Sequence, residues 1–338
     1  MELFELRYAD YSLAEEQVAV RDAFRDFFTA QCPPSRVRAA EPLGYDAKLW
    51  RQFAELGGTT MGLPQDAGGD GAGLLDLVIV AEEAGAALAP VPFAEHTATA
   101  RAIAAVGSPP EGPVTLALRR VADAAAQLVP AGAVAETVLA LDGDELVLVH
   151  ATEPPPLVPN QGSTPLARWE LGDGRRTVLE TGPAARADYA AATAEWKLLT
   201  AAALTGLTER ALGVAVEFVK TRETMGVPVG SLQGVSFPLA DVEIGVSGAR
   251  NLVRRAAWLA DHEPGAHPGL IEAAFAYAAA VATHGATTSA HMQGGLGFTV
   301  EADASLYFLR AKGWSVLGGD PAREVMAAGD ALIARALG

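Results

Sequence analysis

Two long segments of helical periodicity dominate the second half of the chain. In residues 193–220 and 239–261, apolar side chains recur every three or four positions, which places them on one face of an α-helix. Between them lies TRETMGVPVGSLQ, residues 221–233, where Gly226, Pro228 and Gly230 interrupt any helix. We predict two long helices joined by this connector. Its arginine, open turn and glutamine are suited to binding a phosphate or a flat polar ring.

Helical patterns also fill the first part of the chain. Ser12 and Glu15 have the spacing of a capping box, which marks the start of a helix. A second helix is predicted from about Asp46 to Gly57. An apolar helix is expected to follow the glycine-rich segment 62–73. The N-terminal region is therefore predicted to be helical.

The periodicity changes to two between about residues 114 and 180. Residues 137–149 form two strand-like runs around an Asp-Gly pair, and residues 168–180 repeat this around Gly-Asp-Gly. Each pattern is typical of a β-hairpin. A small antiparallel β domain is predicted here.

The order of these patterns predicts an α+β fold of three domains. An N-terminal helical domain covers residues 1–110, a middle β domain residues 111–187, and a C-terminal four-helix bundle residues 188–338. Within the last domain, further helices are expected at about 269–289 and 321–337.

Two glycine-rich stretches have the composition of phosphate-binding loops. Residues 62–73, GLPQDAGGDGAG, lack the preceding strand and the later acidic residue of a dinucleotide-binding fingerprint. We interpret them as a loop at the mouth of a cleft. GGLG at residues 294–297 is expected to break a helix, because each mid-helix glycine costs roughly 1 kcal/mol. Its outward N–H groups are a candidate phosphate contact.

Charge and composition exclude several functions. The net charge of −16 and the absence of a Lys/Arg run argue against nucleic-acid binding. Cys32 is the only cysteine, so no disulfide framework or thiolate metal cluster is expected. The six histidines show no metal-ligand spacing.

The distribution of apolar residues argues against a membrane protein. The N-terminal residues lack the basic and apolar regions of a signal peptide, and no uninterrupted stretch of bilayer-spanning length was identified. A cytoplasmic location without membrane association is expected.

Several motifs, in their order along the chain, resemble the acyl-CoA dehydrogenase family. They are GLPQDAGGDG, KTRETMGVPVGSLQ, LADVEIGVSGARNLVRRAAWL and HMQGGLGFT, similar to the family's R-x-x-F-G-x-P-[IL]-x-x-x-Q and Q-[IM]-x-G-G-x-G-[FY]. Family members bind FAD at a dimer interface. The resemblance implies that Arg222, Gln233, Gly294 and Gly295 hold its adenosine–pyrophosphate end, where a guanidinium fork and open glycine amides suit a pyrophosphate.

The chain departs from the family pattern at other cofactor positions. Met225 replaces the connector phenylalanine, and its sulfur and methyl groups can still cover an aromatic ring. His291 replaces the leading glutamine, with Gln293 two positions later. The family's T-E-P-x-A-G-S-D and W-[IV]-[ST]-N runs, which hold the flavin ring and the thioester, have no counterpart in the β domain. The chain is therefore not expected to seat a flavin ring on its own β domain.

The catalytic base of the family is also missing from its usual positions. By resemblance, one position for this glutamate falls on Gly318-Gly319 and the alternative, helix-borne position on Trp196. The family reaction needs a carboxylate to remove the α-proton while a hydride leaves to the flavin. Glu195, about 100° away around the helix from Trp196, and Glu243 are the remaining candidates.

These departures resemble the short subunits of actinobacterial heterotetrameric acyl-CoA dehydrogenases, which act on steroid or other bulky acyl-CoA thioesters. The implied partner is a longer, base-bearing subunit whose FAD is shared across the interface. Three alternatives stay open: a homo-oligomeric enzyme using Glu195 or Glu243, a family member of altered chemistry, and a flavin-free scaffold or acyl-CoA-binding protein.

Overall fold

The computed structural model describes residues 12–337, which form two compact units. The helical unit contains the described residues up to Arg36, Leu74–Ala89 and the chain from Leu198 onward. The mixed unit contains Val37–Gly73 and Pro90–Lys197. The three predicted domains divide the chain in another way, and their boundaries stay a prediction. Residues 1–11 of the first predicted domain lie outside the described residues.

Ten α-helices occur in the described residues, as expected for a chain that is largely helical outside its centre. They are α1 Glu15–Gln31, α2 Pro34–Ala39, α3 Ala47–Glu55, α4 Leu74–Ala86, α5 Phe93–Ala104, α6 Pro183–Thr221, α7 Gln233–His262, α8 Leu270–Met292, α9 Ala304–Trp314 and α10 Pro321–Leu337.

Eight strands occur in the described residues, six of them between α5 and α6. They are β1 Val114–Leu116, β2 Ala126–Val129, β3 Thr137–Asp142, β4 Glu145–His150, β5 Ala167–Glu170, β6 Arg175–Thr181, β7 Glu223–Thr224 and β8 Val227–Pro228. The predicted order of helices, small sheet and helical bundle is confirmed.

The central sheet has the strand order β1-β3-β4-β6. The β3–β4 and β4–β6 pairs are antiparallel, whereas β1 pairs with β3 in parallel. The prediction of an antiparallel domain was therefore wrong for β1. The chain between β1 and β3 passes through β2, which belongs to a separate two-stranded sheet, so β3 re-enters alongside β1 in the same direction.

The first predicted hairpin is confirmed as β3–β4, but the second was wrong. Strand β5 pairs with β2, and β6 pairs with β4. Burial of Trp169 separates them: this residue is 3% exposed in the core of the mixed unit, and its Nε1 donates to the Gly132 carbonyl at 3.0 Å. A pairing of β5 with β6 would have to remove this side chain from that core.

Helix α1 begins later than the sequence pattern indicated. Its N-cap is Ala14, and Gln17 Oε1 accepts a hydrogen bond from the Ala14 amide at 3.1 Å. The predicted capping box of Ser12 and Glu15 was therefore wrong, because Glu15 is already the first helical residue. Helix α3 begins close to the predicted start: Asp46 is its N-cap, with Oδ1 accepting from Lys48 N and Leu49 N at 2.9 Å.

Helix α6 is apolar enough to qualify as a membrane span by length and composition alone. It has 39 residues, and the mean hydropathy of its most apolar window is 1.2. Glu209 and Arg210 interrupt its apolar residues, so α6 is not the uninterrupted apolar stretch whose absence was predicted. In addition, 67% of that window is buried within the protein, as in the core helix of a soluble protein, so its apolar character is weak evidence for membrane insertion.

Candidate functional site

The connector folds as a short β-hairpin between α6 and α7. Its strands β7 and β8 are joined by Met225 and Gly226, whose φ angles are +51° and +78°. Two consecutive positive φ values are characteristic of a type I′ turn. Met225 is 95% exposed at the tip of this hairpin. A methionine in this left-handed region costs about 1 kcal/mol, and its side chain is open to a ligand or another chain.

Arg222 lies at the base of the hairpin with its side chain exposed. Its amide donates to the Phe218 carbonyl at 2.9 Å, and its carbonyl accepts from the Val229 amide at 2.7 Å. The guanidinium makes no hydrogen bond or ion pair with any residue in the range 12–337. Its backbone is fixed on both sides, whereas its charge is available to an anion.

The GGLG segment follows α8 as a short 3-10 helix, Gly294–Phe298. Gly294 has a φ of +64°, and a Cβ on Gly294 or Gly295 would meet nothing within 4 Å. Gly297 differs, because a Cβ there would collide with the Ala290 carbonyl oxygen. The predicted helix break is confirmed, and it exposes backbone at Gly294 and Gly295 that a ligand can approach closely.

A shared core cluster links the connector with the GGLG segment. Phe218 precedes the connector, Val235 follows it, and both pack on the cluster that contains Leu239 and Val242. Met292, just before the GGLG segment, packs on the same cluster. The residues that flank the connector and the residue just before Gly294 therefore pack on one core cluster, although they are far apart in sequence.

The other predicted contacts of this region differ in their availability. Gln233 is exposed at the first position of α7, and His291 is exposed in the last turn of α8. Gln293 is 7% exposed, and its Nε2 donates to the Ser289 carbonyl at 3.3 Å. His291 rather than Gln293 therefore presents a side chain to solvent.

This donor set fits the adenosine–pyrophosphate end of FAD. An unpaired guanidinium offers a bidentate contact to a phosphate oxygen pair, and the open backbone at Gly294 and Gly295 leaves room for close approach. Among the described residues, no group of three or more His, Cys, Asp or Glu side chains is arranged to hold a metal ion.

Glu195, the first candidate base, lies in an ion pair. Arg101 Nε lies 2.9 Å from its Oε1 and 3.1 Å from its Oε2. Arg101 Nη1 also donates to the carbonyls of Gly62 and Ala72 at 2.7 and 3.2 Å, at the two ends of the glycine-rich loop. Glu195 is therefore the counter-ion of Arg101, and the hydrogen bonds of Arg101 connect the two ends of the glycine-rich loop.

The other positions considered for the base differ in what they present. Glu243 is exposed on α7 and accepts a hydrogen bond from Ser247 Oγ at 3.3 Å. Gly319 has a φ of +111° and follows the end of α9. Trp196, to which the resemblance assigns the helix-borne position, is 1% exposed.

Sequence reasoning missed the buried carboxyl group of Glu95. Glu95 on α5 accepts a hydrogen bond from Trp196 Nε1 at 3.3 Å, and burial raises the pKa of its carboxyl group. The residue as a whole is only half-buried, so we attribute the shift to the deep position of the carboxyl itself. The sequence did not indicate that Glu95 is buried, because polar residues occur on most sides of α5 and no face of it is clearly apolar.

Two buried polar side chains of the mixed unit donate hydrogen bonds to carbonyl groups of its loops. Thr115 Oγ1 donates to the Pro130 carbonyl at 2.6 Å, and Gln127 Nε2 donates to the Arg119 and Ala124 carbonyls, both at 2.9 Å. These contacts stabilise the turns between strands and leave these donors engaged within the chain.

Both helical parts of the chain match models of protein-family domains. Residues 14–110 match the model of the acyl-CoA dehydrogenase N-terminal domain, and residues 190–333 match that of the C-terminal domain. Together the two models cover more than half of the chain.

Known proteins give the same result over nearly the full length. Acyl-CoA dehydrogenase IpdE2 of Mycolicibacterium smegmatis is 31% identical over 93% of this chain and 97% of its own. Acyl-CoA dehydrogenase FadE34 of Mycobacterium tuberculosis is 30% identical over 97% of this chain but only 50% of its own.

Two solved structures are complexes of two differently named chains. The Tcur3481-Tcur3483 steroid ACAD G363A variant superposes with a TM-score of 0.85 at 26% identity, covering 97% of this chain and 100% of that one. The ChsE4-ChsE5 complex from Mycobacterium tuberculosis has the same TM-score and identity, covering 96% and 99%. With the matched family models, these similarities establish that the chain belongs to the acyl-CoA dehydrogenase family.

Proposed function

We propose that this chain is a non-catalytic subunit that completes the FAD site of a longer acyl-CoA dehydrogenase subunit. The reaction of the pair is the α,β-desaturation of an acyl-CoA thioester. The observation that carries this proposal is the exposed Arg222 guanidinium, without an internal partner in the described residues, together with the open backbone of Gly294 and Gly295 in the same unit. Such a surface suits a pyrophosphate that belongs to a cofactor shared between chains.

The division of labour follows from the carboxylates. When bound, FAD accepts the hydride from the β-carbon, and a carboxylate must remove the α-proton. Here Glu195 is paired with Arg101, and a tryptophan or a glycine fills the two family positions. The partner would therefore supply the base, while Arg222, Gln233 and His291 bind and orient the adenosine end of the cofactor.

The relatives support a partner of related fold. ChsE4-ChsE5 and Tcur3481-Tcur3483 are complexes of two named chains. This chain matches half of the FadE34 polypeptide. The other half of FadE34 is therefore about as long as a second chain of this size. The similarity to a protein described as a steroid ACAD favours a bulky substrate, such as a steroid acyl-CoA, for the pair. A cytoplasmic location is part of the proposal.

FAD content after substitution of Arg222 tests this function. We expect Arg222→Ala to weaken FAD binding to the co-purified pair by roughly 30-fold, since a charge-assisted contact contributes about 2 kcal/mol. Arg323→Ala, which removes another exposed arginine from α10, is the matched control. The measurement is flavin absorbance per complex during FAD titration, with melting curves of both variants. Equal FAD affinity of Arg222→Ala and wild type would remove Arg222 from the site.

A further inference from the structure

A single side chain outside the glycine-rich loop connects the two ends of that loop. Arg101 of α5 donates from Nη1 to the carbonyls of Gly62 and Ala72, at 2.7 and 3.2 Å, and its Nε lies 2.9 Å from Glu195 Oε1. The side chains of Arg101 and Glu195 are 26% and 13% exposed. Salt therefore screens this ion pair much less than it screens a pair on the surface.

Two backbone hydrogen bonds also join the ends of the loop. The Gly71 amide donates to the Leu63 carbonyl at 2.9 Å, and the Ala72 amide donates to the Met61 carbonyl at 2.8 Å. Amides in such bonds exchange with solvent when the bonds open. The exchange rates of the Gly71 and Ala72 amides therefore report whether the two ends of the loop are together.

The loop has one further anchor, which is apolar. Leu63 is 6% exposed and lies in a core cluster with Ala100 of α5 and Val114 of β1. Ala67 packs on the same cluster. The intervening positions 64–66 are exposed. Helix α5 therefore carries both contacts of the loop on adjacent residues, the apolar one first and the charged one next.

An ion pair at this depth is costly, and filling space does not require it. Two charges taken out of water need good geometry and further hydrogen bonds, and apolar side chains of similar volume can often replace them without loss of stability. Such a pair can instead fix one geometry, because the planar guanidinium sets the positions of its acceptors. Here the acceptors besides Glu195 are the two ends of the glycine-rich loop.

We propose that Arg101 and Glu195 form an electrostatic latch that keeps the glycine-rich loop closed as a lid over the apolar cluster of Leu63, Ala100 and Val114. Glu195 holds the guanidinium in place, and the guanidinium holds both ends of the loop. When the latch is released, the ends separate and Leu63 leaves the cluster. The surface of Ala100 and Val114 then becomes accessible to apolar ligands. The latch lies within the mixed unit and is independent of the proposed function.

Amide hydrogen exchange of the full-length protein tests the latch. Arg101→Met keeps an apolar stem but removes the guanidinium, and we expect the Gly71 and Ala72 amides to exchange roughly tenfold faster, because a buried charge pair is broken. Glu195→Gln should accelerate the same two amides, since the guanidinium loses its counter-ion. Arg101→Met should also increase the fluorescence of the apolar dye anilinonaphthalene sulfonate, which binds exposed hydrophobic surface.

Arg120→Met is the matched control. It removes an ion pair with Asp123 that has the same N–O distance, 2.9 Å, but lies exposed between β1 and β2 of the mixed unit. Exchange at the ends of the loop and dye fluorescence should match those of the wild type. If Arg101→Met does not fold, Arg101→Lys keeps the charge and removes the planar fork, and the Gly71 and Ala72 amides should still exchange faster than in the wild type.

Three results would overturn the proposal. One is wild-type exchange of the Gly71 and Ala72 amides in Arg101→Met. Another is an acceleration that extends equally to the amides of β4, which would show that Arg101 stabilises the mixed unit as a whole rather than the loop. The third is faster exchange at the ends of the loop without added dye fluorescence, because the loop would then cover no apolar site.

Discussion

His96 illustrates how a single residue acquires properties that its sequence position does not reveal. It is 7% exposed on α5, and its Nε2 lies 3.2 Å from the Thr59 carbonyl oxygen. The Val114 amide donates to Nδ1 at 3.4 Å. The ring is therefore neutral, with Nε2 protonated and Nδ1 accepting. A second proton would have to replace the bond from Val114, and burial lowers the pKa of His96 to about 4.

The unfolding free energy should therefore decrease as the pH falls from 6.5 towards 4. In this window the unfolded chain binds a proton at His96 and the folded chain does not, so stability is lost at up to about 1.4 kcal/mol per pH unit. We expect His96→Gln, which keeps a donor for Thr59, to reduce this slope in urea unfolding at several pH values. His284→Gln, at an exposed position of α8, is the control. An unchanged slope in His96→Gln would contradict this account.

At the scale of elements, the contact between α4 and α6 depends on two glycines. A Cβ on Gly85 of α4 would collide with the Ala203 carbonyl oxygen of α6, and one on Gly206 would collide with that of Glu82. The two helices therefore approach until backbone meets backbone. Each glycine lowers intrinsic helix stability, but here the tight packing requires it.

The same substitution in α6 should therefore have opposite effects at two positions. Gly206→Ala is expected to destabilise the protein by about 1–3 kcal/mol through overpacking. Gly213→Ala should stabilise it by about 0.5–1 kcal/mol, since the nearest atom to a Cβ there is Arg210 Nη1 at 3.9 Å. Thermal melts of both variants measure the difference. Stabilisation by Gly206→Ala would show that α4 and α6 can separate at little cost.

Element pairing was the least predictable level of this fold. The β5 and β6 segments alternate and are joined by Gly-Asp-Gly, yet they belong to different sheets. Alternation reports only that a strand has two different faces, and not which strand it pairs with. Helix α5 was not predicted individually, because its buried residues include His96, Thr97 and Thr99 as well as apolar ones.

At the scale of the whole molecule, the surroundings of the two candidate carboxylates are the basis of the proposed helper role. Glu195 forms an ion pair with Arg101, which bonds to both ends of the glycine-rich loop, and Glu243 is exposed on α7. Neither arrangement resembles a base held ready for a substrate. The homo-oligomeric alternative requires one of them to work.

We expect the isolated chain to dehydrogenate no acyl-CoA, even with added FAD. Loss of a positioned base lowers a rate by about 10²–10⁴-fold. The pair should be active, and Glu243→Gln should not change its rate. Glu195→Gln should lower the melting temperature, because Arg101 loses its counter-ion, but it should leave the activity of the folded pair intact. The assay is acyl-CoA-dependent dye reduction. Activity of the chain alone that either substitution abolishes would establish the homo-oligomeric enzyme.

Local patterns in the sequence determined much of this protein. The two long helices, the connector, the helix break at GGLG and the β3–β4 hairpin follow from short-range spacing, because helices and tight turns form between near neighbours. The motifs in their order identified the family, and the missing carboxylate positions favoured a helper role.

Only the tertiary structure decided which groups meet and which are already engaged. Arg101 and Glu195 are 94 positions apart, and their ion pair gives a candidate base a partner that the sequence did not indicate. Pairing of β5 with β2 and the parallel β1 likewise depend on contacts between distant segments. Periodicity shows which face of an element is buried, but the partner of that face depends on how the complete chain packs.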